Sequence, residues 1–262
     1  RNKMIVDLHN HTTLCNHAEG SIEAYVLKAI EKKIDIFGFS DHAPMHFDEA
    51  YRMRFDEMQT YEENVLHVKE KYADKLSILL AYEVDFLEGY IDSRVLEREV
   101  DYFIGSVHYL GNWGFDNPEF IGEYQNHNID DIWQRYFDAI EDMAKSRLFD
   151  VVGHIDLMKV FNYLPKKDIR LIAKNAINAI KKANIVLEIN AAGLRKPIGE
   201  LYPSSPLMEL LAENDIPITF SSDAHAPHHI GFSREQMHAL AKDYGYKKCA
   251  TFEKRERILI NF

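Results

Sequence analysis

Only two cysteines occur among the 262 residues, Cys15 and Cys249, far apart in the chain. That excludes a disulfide framework and fits a reducing cytoplasm. No stretch reaches the roughly 20 uninterrupted apolar residues of a membrane span, and no secretory leader is visible. Arg1-Asn2-Lys3 precede Met4 and read as residues added ahead of a natural start. Positive charge is scarce: 31 Lys and Arg face 42 Asp and Glu, a net charge of -11. A nucleic-acid binder would show a basic surface, so no nucleic-acid partner is expected. Phosphate substrates stay open, because bound divalent cations reverse the sign of a site locally. No glycine-rich phosphate loop follows any apolar run, which disfavours a nucleotide cofactor. No linker, repeat or low-complexity tract divides the chain, so 1–262 reads as one domain, long enough to bury a large core.

What is abundant is histidine, thirteen in all. His46, His67, His127, His228, His229 and His238 read as surface or satisfied core residues. The other seven need a different account. Short apolar runs rich in β-branched residues predict strands at Met4–His9, Ile34–Phe39, Leu76–Tyr82, Tyr102–Ser106, Asp150–Gly153, Ile185–Ile189 and Ile218–Ser222. Most end in, or just before, a polar residue that can bind metal or substrate: His9, the Ser40-Asp41-His42 triplet, Glu83, His108, His154, Asn190 and Asp223. Near-continuous apolar runs suit strands buried on both faces, as in parallel sheets.

Helical patterns lie between them. Ser21 caps a helix through Lys33, and Asp56–Tyr72, Asp131–Arg147 and Asp168–Ala183 follow. A short helix fits within Ser93–Val100. Ser205-Pro206 reads as a cap and first helical position leading to Asn214, and Ser233–Tyr244 stops at Gly245. Strand-helix alternation predicts an α/β fold with a parallel sheet. Seven strands with polar C-terminal ends favour a closed barrel with its active site at those ends; an open sheet would concentrate ligands at one switch point.

Alternate residues of a strand face the same way, so His9 and His11 can reach one ion, as can Asp223 and His225. Imidazole and carboxylate suit zinc, iron or manganese. If the barrel closes, the two pairs become neighbours. Glu83, His108 and His154 come from strands between, and a carboxylate such as Glu83 can bridge two ions. Cys15 is a weaker candidate ligand.

At these residues the chain resembles the PHP (polymerase and histidinol phosphatase) domain family. The resembling stretches are Asp7-Leu8-His9-Asn10-His11, Phe39-Ser40-Asp41-His42, Tyr82-Glu83, Gly105-Ser106-Val107-His108, Val152-Gly153-His154 and Ser222-Asp223-Ala224-His225. The resemblance implies a distorted, TIM-like (β/α)7 barrel, one catalytic domain over 1–262, and three divalent metal ions. His9, His11, Glu83 and Asp223 would hold the first, Glu83, His108 and His154 the second, and His17, His42 and His225 the third. His17 enters only through the resemblance. The stand-alone length, the Cys15–Ser21 loop and Tyr51-Arg52-Met53-Arg54 resemble the histidinol-phosphate phosphatase branch. That implies a phosphomonoesterase of histidine biosynthesis, acting on L-histidinol phosphate by attack of a metal-bridging hydroxide on phosphorus. Asp223 and His225 are the candidates for proton handling.

Phosphate recognition favours arginine, whose planar fork matches phosphate oxygens. Arg195, Arg52 and Arg54 lie in loops after strands and are the candidates; Arg234 is a weaker one. The long 110–128 loop, with Trp113, Phe115 and Tyr124, reads as a lid or as packing over the barrel rim. The expected partner is a small phosphate ester, with no membrane or nucleic acid. Three rivals remain: a phosphoesterase for another small ester or nucleotide, an amidohydrolase-type hydrolase, and a metal-binding module without turnover.

Overall fold

In the computed structural model, which describes residues 2–262 and so leaves Arg1 of the leading tripeptide outside, eleven strands and seven α-helices follow one another in a β/α alternation. The strands are β1 (Val6–Asp7), β2 (Ile36–His42), β3 (Ser77–Asp85), β4 (Tyr102–Ser106), β5 (Tyr109–Leu110), β6 (Trp113–Gly114), β7 (Val151–Val152), β8 (Val186–Asn190), β9 (Ile218–Ser221), β10 (Lys248–Glu253) and β11 (Glu256–Asn261). The helices are α1 (Ile22–Glu31), α2 (Met58–Lys71), α3 (Ser93–Leu96), α4 (Ile129–Ser146), α5 (Ile169–Ala183), α6 (Ser205–Glu213) and α7 (Arg234–Asp243).

Seven strands form one parallel sheet in the order β1-β2-β3-β4-β7-β8-β9. These are the seven runs expected from sequence, and β2, β4 and β8 are buried almost throughout, as strands covered on both faces must be. The sheet curls until its outer strands meet. Leu8 N–H donates to the Phe220 carbonyl (3.0 Å) and His11 N–H to that of Ala224 (2.9 Å). Side chains reinforce this seam. Asp7 Oδ1 accepts from the Ser222 amide (3.0 Å) and from Asn10 Nδ2 (3.1 Å), and Ser222 Oγ donates to Asp7 Oδ2 (2.5 Å). The result is a nearly closed (β/α)7 barrel.

The helices follow their patterns with shifted starts. Ser21 Oγ accepts from Ala24 N–H and opens α1, and Asp168 caps α5. Helix α4 begins ahead of Asp131, because the side chain of Asn128 caps it by accepting from the amides of Asp130 and Asp131. Its apolar face, Ile132, Tyr136, Ile140 and Met143, is buried as its period demands. At α6 the cap is Ser204, and Ser205 is the first helical residue. Among the described residues no helix is long and apolar enough to cross a membrane.

The C-terminal hairpin β10–β11 was not anticipated. It lies under the N-terminal ends of the strands: Thr219 Oγ1 donates to the Ala250 carbonyl (2.8 Å), and Arg255 N–H to that of Asp101 (2.8 Å). Inside the barrel, the Tyr102 hydroxyl donates to the Leu8 carbonyl, crossing over Gly38. A methyl group at Gly38 would overlap that hydroxyl, and Tyr102 is fully buried with nowhere to retreat. Gly38→Ala is therefore expected to cost about 1–3 kcal/mol of stability. Urea unfolding checks this; a midpoint equal to that of the parent would refute the packing argument.

Candidate metal centre

The C-terminal ends of the strands deliver the acids and histidines to one place. Strand β3 pairs with β2 so that His42 lies opposite Glu83. Strand β4 sets Ser106 opposite Asp85. His9 and His11 follow β1, His108 follows β4, His154 follows β7, and Asp223 and His225 follow β9. Asp223 adopts a left-handed backbone (φ 52°), a conformation Asp tolerates better than most residues.

Glu83 stands at the centre, only 1% exposed. Its Oε1 lies 3.0 Å from His9 Nε2, 3.5 Å from His11 Nε2 and 3.4 Å from His42 Nδ1. Its Oε2 lies 3.0 Å from His154 Nε2 and 3.6 Å from His108 Nε2, and accepts from Ser106 Oγ (2.8 Å). One carboxylate thus touches two groups of histidines, one through each oxygen. Asp223 Oδ1 completes the first group, 2.9 Å from His11 Nε2 and 3.5 Å from His9 Nε2. His11, His42 and His225 form a third tight group. His17 stands just outside it, its ring centre 5.1 Å from that of His42 and 5.0 Å from that of His225.

Behind the rings is a second layer that the sequence reading missed. His9 Nδ1 bonds Glu188 (2.9 Å), His11 Nδ1 bonds Asp41 (3.1 Å), and His108 Nδ1 bonds Asp85. His17 and His225 each direct Nδ1 to a backbone carbonyl, of Cys15 and Asp223 (2.9 and 3.0 Å). An acceptor behind a ring holds the hydrogen on Nδ1 and turns the Nε2 lone pair forward, the support found behind metal-ligating histidines. The lone pairs of His9, His11 and His108 face carboxylate oxygens of Glu83 or Asp223, an arrangement that repels unless a proton or cation lies between. His154 Nδ1 is buried without a partner. The donor set, nitrogen and oxygen with fixed tautomers, fits divalent metal ions. The one detectable signal for Glu188 was a carboxylate inside an apolar strand, Val186-Leu187-Glu188-Ile189.

The electrostatics agree. Burial opposes the charged form of His9, but Asp223, Glu188 and Glu83 outweigh it and hold its pKa well above the usual value. The same contest raises His11 to about 9, mainly through Asp223 and Asp41, and His108 to about 10, through Asp85 and Asp116. Against the cost of burial, the histidines keep Glu83 and Asp223 well below the ordinary carboxylate range. His42 and His225 are pushed well down, first by burial and then by neighbouring histidines.

A cavity of about 430 Å³ opens onto this cluster, walled by Tyr51, Tyr109, Asp116, Arg195, Tyr202 and His229 among others. Arg195 is half-buried in its wall. Its Nη2 donates to the carbonyls of Ser222 (2.9 Å) and Asp223 (3.0 Å), while its Nη1 is buried and unpartnered. Arg54 is not part of the cavity wall: it is 71% exposed and pairs with Asp56, so its candidacy as a phosphate ligand fails. Arg52 does reach the wall, but its guanidinium is spent on Asp85 (2.7 Å), Tyr109, and the carbonyls of Ala43 and Asp48. It steadies the acid behind His108 and leaves no open fork for phosphate. Arg234 bonds the Lys32 carbonyl. Cys15 donates its thiol to the Thr12 carbonyl, and burial pushes its pKa up, so it stays protonated. His229, expected as a surface or satisfied core residue, lines the cavity and accepts from His225 N–H (3.1 Å). Trp113, Phe115 and Tyr124 are buried in the rim, the packing alternative for the 110–128 loop.

The PHP domain profile matches residues 7–192. The chain belongs to the PHP domain family. Beyond the domain, a Deinococcus radiodurans protein named probable histidinol-phosphatase is 35% identical over 96% of this chain and 98% of its own length. The histidinol-phosphatase of Bacillus subtilis is 26% identical, over 87% of this chain and 96% of its own. The PHP fold is shared with a Lactococcus lactis histidinol phosphate phosphatase crystallised with zinc, L-histidinol and phosphate (TM-score 0.82, 21% identity, 97% of this chain and 98% of that one).

A PHP site that binds cations must shed protons to do so. His11 is raised from 6.5 in an unstructured chain to about 9 in the fold, and His108 to about 10. A raised folded pKa gives stability that is complete below the unfolded value and is lost as pH climbs through the folded one. The chelator-treated protein is expected to lose melting temperature from pH 6.5 to pH 9. Zinc or manganese should flatten or reverse that slope. Scanning calorimetry at matched ionic strength decides; a metal-free melting temperature that holds or rises over this range contradicts the assignment.

Proposed function

We propose that the chain is a metal-dependent phosphomonoesterase that hydrolyses L-histidinol phosphate to L-histidinol and phosphate, a step of histidine biosynthesis in the cytoplasm. The observation that carries this reading is the shared Glu83 carboxylate, flanked by two histidine groups at the floor of a cavity that Arg195 also lines. The histidinol-phosphatase names of the relatives supply the substrate. In this reading 1–262 forms one catalytic domain. Its two buried free cysteines suit a reducing compartment, and its acidity leaves no part for nucleic acid.

Three cations, of zinc, iron or manganese, would be held by His9, His11, Glu83 and Asp223; by Glu83, His108 and His154; and by His17, His42 and His225. The third set has His11 close by as well. Bound there, divalent cations supply Lewis-acid stabilisation of charge on the phosphate. The chain's own residues do the rest. Arg195 places its positive charge in the cavity wall for the phosphate, and its Nη2 bonds to the Ser222 and Asp223 carbonyls keep the guanidinium from swinging away. Asp223, held ionised, is a proton acceptor at neutral pH; it would take the proton from attacking water and return it to the leaving alkoxide. His225, the sequence candidate for the same role, has Nδ1 on the Asp223 carbonyl and its other nitrogen toward a cation, so it would hold Asp223 in place rather than carry the proton.

Two measurements test the reading. Asp223→Asn is expected to lower kcat by about 10²–10⁴-fold; near-normal turnover with full metal content removes Asp223 from proton transfer. Phosphate release from histidinol phosphate, nucleoside monophosphates, a sugar phosphate and an aryl phosphate should favour the first by at least about tenfold, or about 1.4 kcal/mol. A smaller preference leaves a phosphomonoesterase of another small ester.

A further inference from the structure

Every other carboxylate that lines the cavity is engaged. Glu83 and Asp223 face the histidines, Asp85 is held by Arg52 and His108, and Asp48 accepts from the Tyr109 hydroxyl (2.6 Å). Asp116 differs. It is half-buried in the cavity wall and, among the described residues, makes no hydrogen bond or ion pair. Its charge reaches inward, to His108 and to Tyr202.

The backbone around Asp116 is fixed. Phe115, fully buried, packs edge-on to Tyr136 (5.7 Å between ring centres), and the Phe115 carbonyl accepts from the Tyr124 hydroxyl (2.9 Å). On the other side, Asn117 N–H donates to the Gly114 carbonyl (3.2 Å), and the Asn117 side chain accepts from Glu119 N–H (3.0 Å). The carboxylate can therefore search for a partner only by turning about its own side-chain bonds. A half-desolvated carboxylate on a fixed backbone without a donor is costly, and a cation brought by a ligand removes that cost. The cavity also has an opposite pole: Arg195 and Lys196 line it, and neither pairs with Asp116.

We infer that Asp116 is the specificity-determining residue for a cationic amine, so that the site selects phosphate monoesters carrying an ammonium group near the ester. The inference rests on the proposed phosphomonoesterase reading and deepens it. The phosphate end lies toward Arg195 and the histidine cluster, and the ammonium end donates to Asp116. L-Histidinol phosphate has both groups; a sugar or aryl phosphate has only the first. A site built to pair a charged donor rejects the analogue that lacks it, because its own group is then left unpaired.

The test compares L-histidinol phosphate with its deaminated counterpart, the same ester with hydrogen in place of the amine. The quantity read is the amine preference, the ratio of the two kcat/KM values, which is independent of how much of a variant folds. Wild type should show a strong preference, and Asp116→Asn should reduce it about 10- to 100-fold, as expected for loss of a charged hydrogen bond. A ratio within about twofold of wild type overturns the inference, even if both rates fall together. Should wild type hydrolyse neither ester, the proposed reaction fails by itself. Calorimetric titration of the metal-loaded protein with L-histidinol then decides the role of Asp116: binding weakened tenfold or more by Asp116→Asn supports it, and unchanged or undetectable binding overturns it.

Discussion

Everything at the top of this barrel is arranged around one buried carboxylate. Glu83 touches His9, His11 and His42 through one oxygen and His154 and His108 through the other. A carboxylate at 1% exposure is tolerable only with compensating positive charge. The ligand groups cannot be moved apart without exposing that debt, so the strands that carry them must end at matched heights. Register supplies the match: His42 pairs with Glu83 across β2 and β3, and Ser106, a donor to Glu83, pairs with Asp85 across β3 and β4. Fold and site are one constraint seen at two scales.

The seam between β1 and β9 is where that constraint is hardest to meet, because these strands are joined by few backbone hydrogen bonds. Asp7, Asn10 and Ser222 supply the difference. They adjoin the metal-type residues of both motifs: Asn10 sits between His9 and His11, Asp7 lies two residues before His9, and Ser222 immediately precedes Asp223. Each strand end thus alternates a residue that faces the cluster with one that stitches the wall. Asp7 is buried, and burial raises its pKa against the pull of Ser222 and Asn10. Hydrogen bonds of this kind contribute about 1 kcal/mol each, and here they also fix the distance between His11 and Asp223 across a gap of 212 residues.

The barrel was legible because strands buried on both faces must be apolar runs, and the runs stop where the polar work begins. What was hidden had physical reasons. The hairpin β10–β11 turns on Lys254-Arg255, both left-handed (φ 48° and 69°), where Asn-Gly would have announced a turn. Here two amides bonded to Asp101 hold residues that seldom adopt that shape. Glu188 was invisible as the support of His9 because 179 residues separate them, and no local period links them. The arginines divide for the same reason. Spacing can put Arg52, Arg54 and Arg195 in loops above the barrel, but only packing decides that Arg52 is consumed by Asp85, that Arg54 faces water, and that Arg195 keeps a nitrogen in reserve.

The acidity of the chain then ceases to conflict with an anionic substrate. Glu83, Asp223, Glu188, Asp41 and Asp85 are all buried at this end of the barrel. Without cations, protons on His9, His11 and His108 serve as the counter-charge. In the proposed reading three divalent cations would displace those three protons, doubling the positive charge of the cluster as a whole. That surplus would attract phosphate, and the acids beneath the rings, which balance the protons, are what would allow it to build up. Stability and substrate affinity therefore draw on the same charges. Removing a rear acid such as Asp85 would loosen a ring and also remove one of the negative charges that make cation loading favourable.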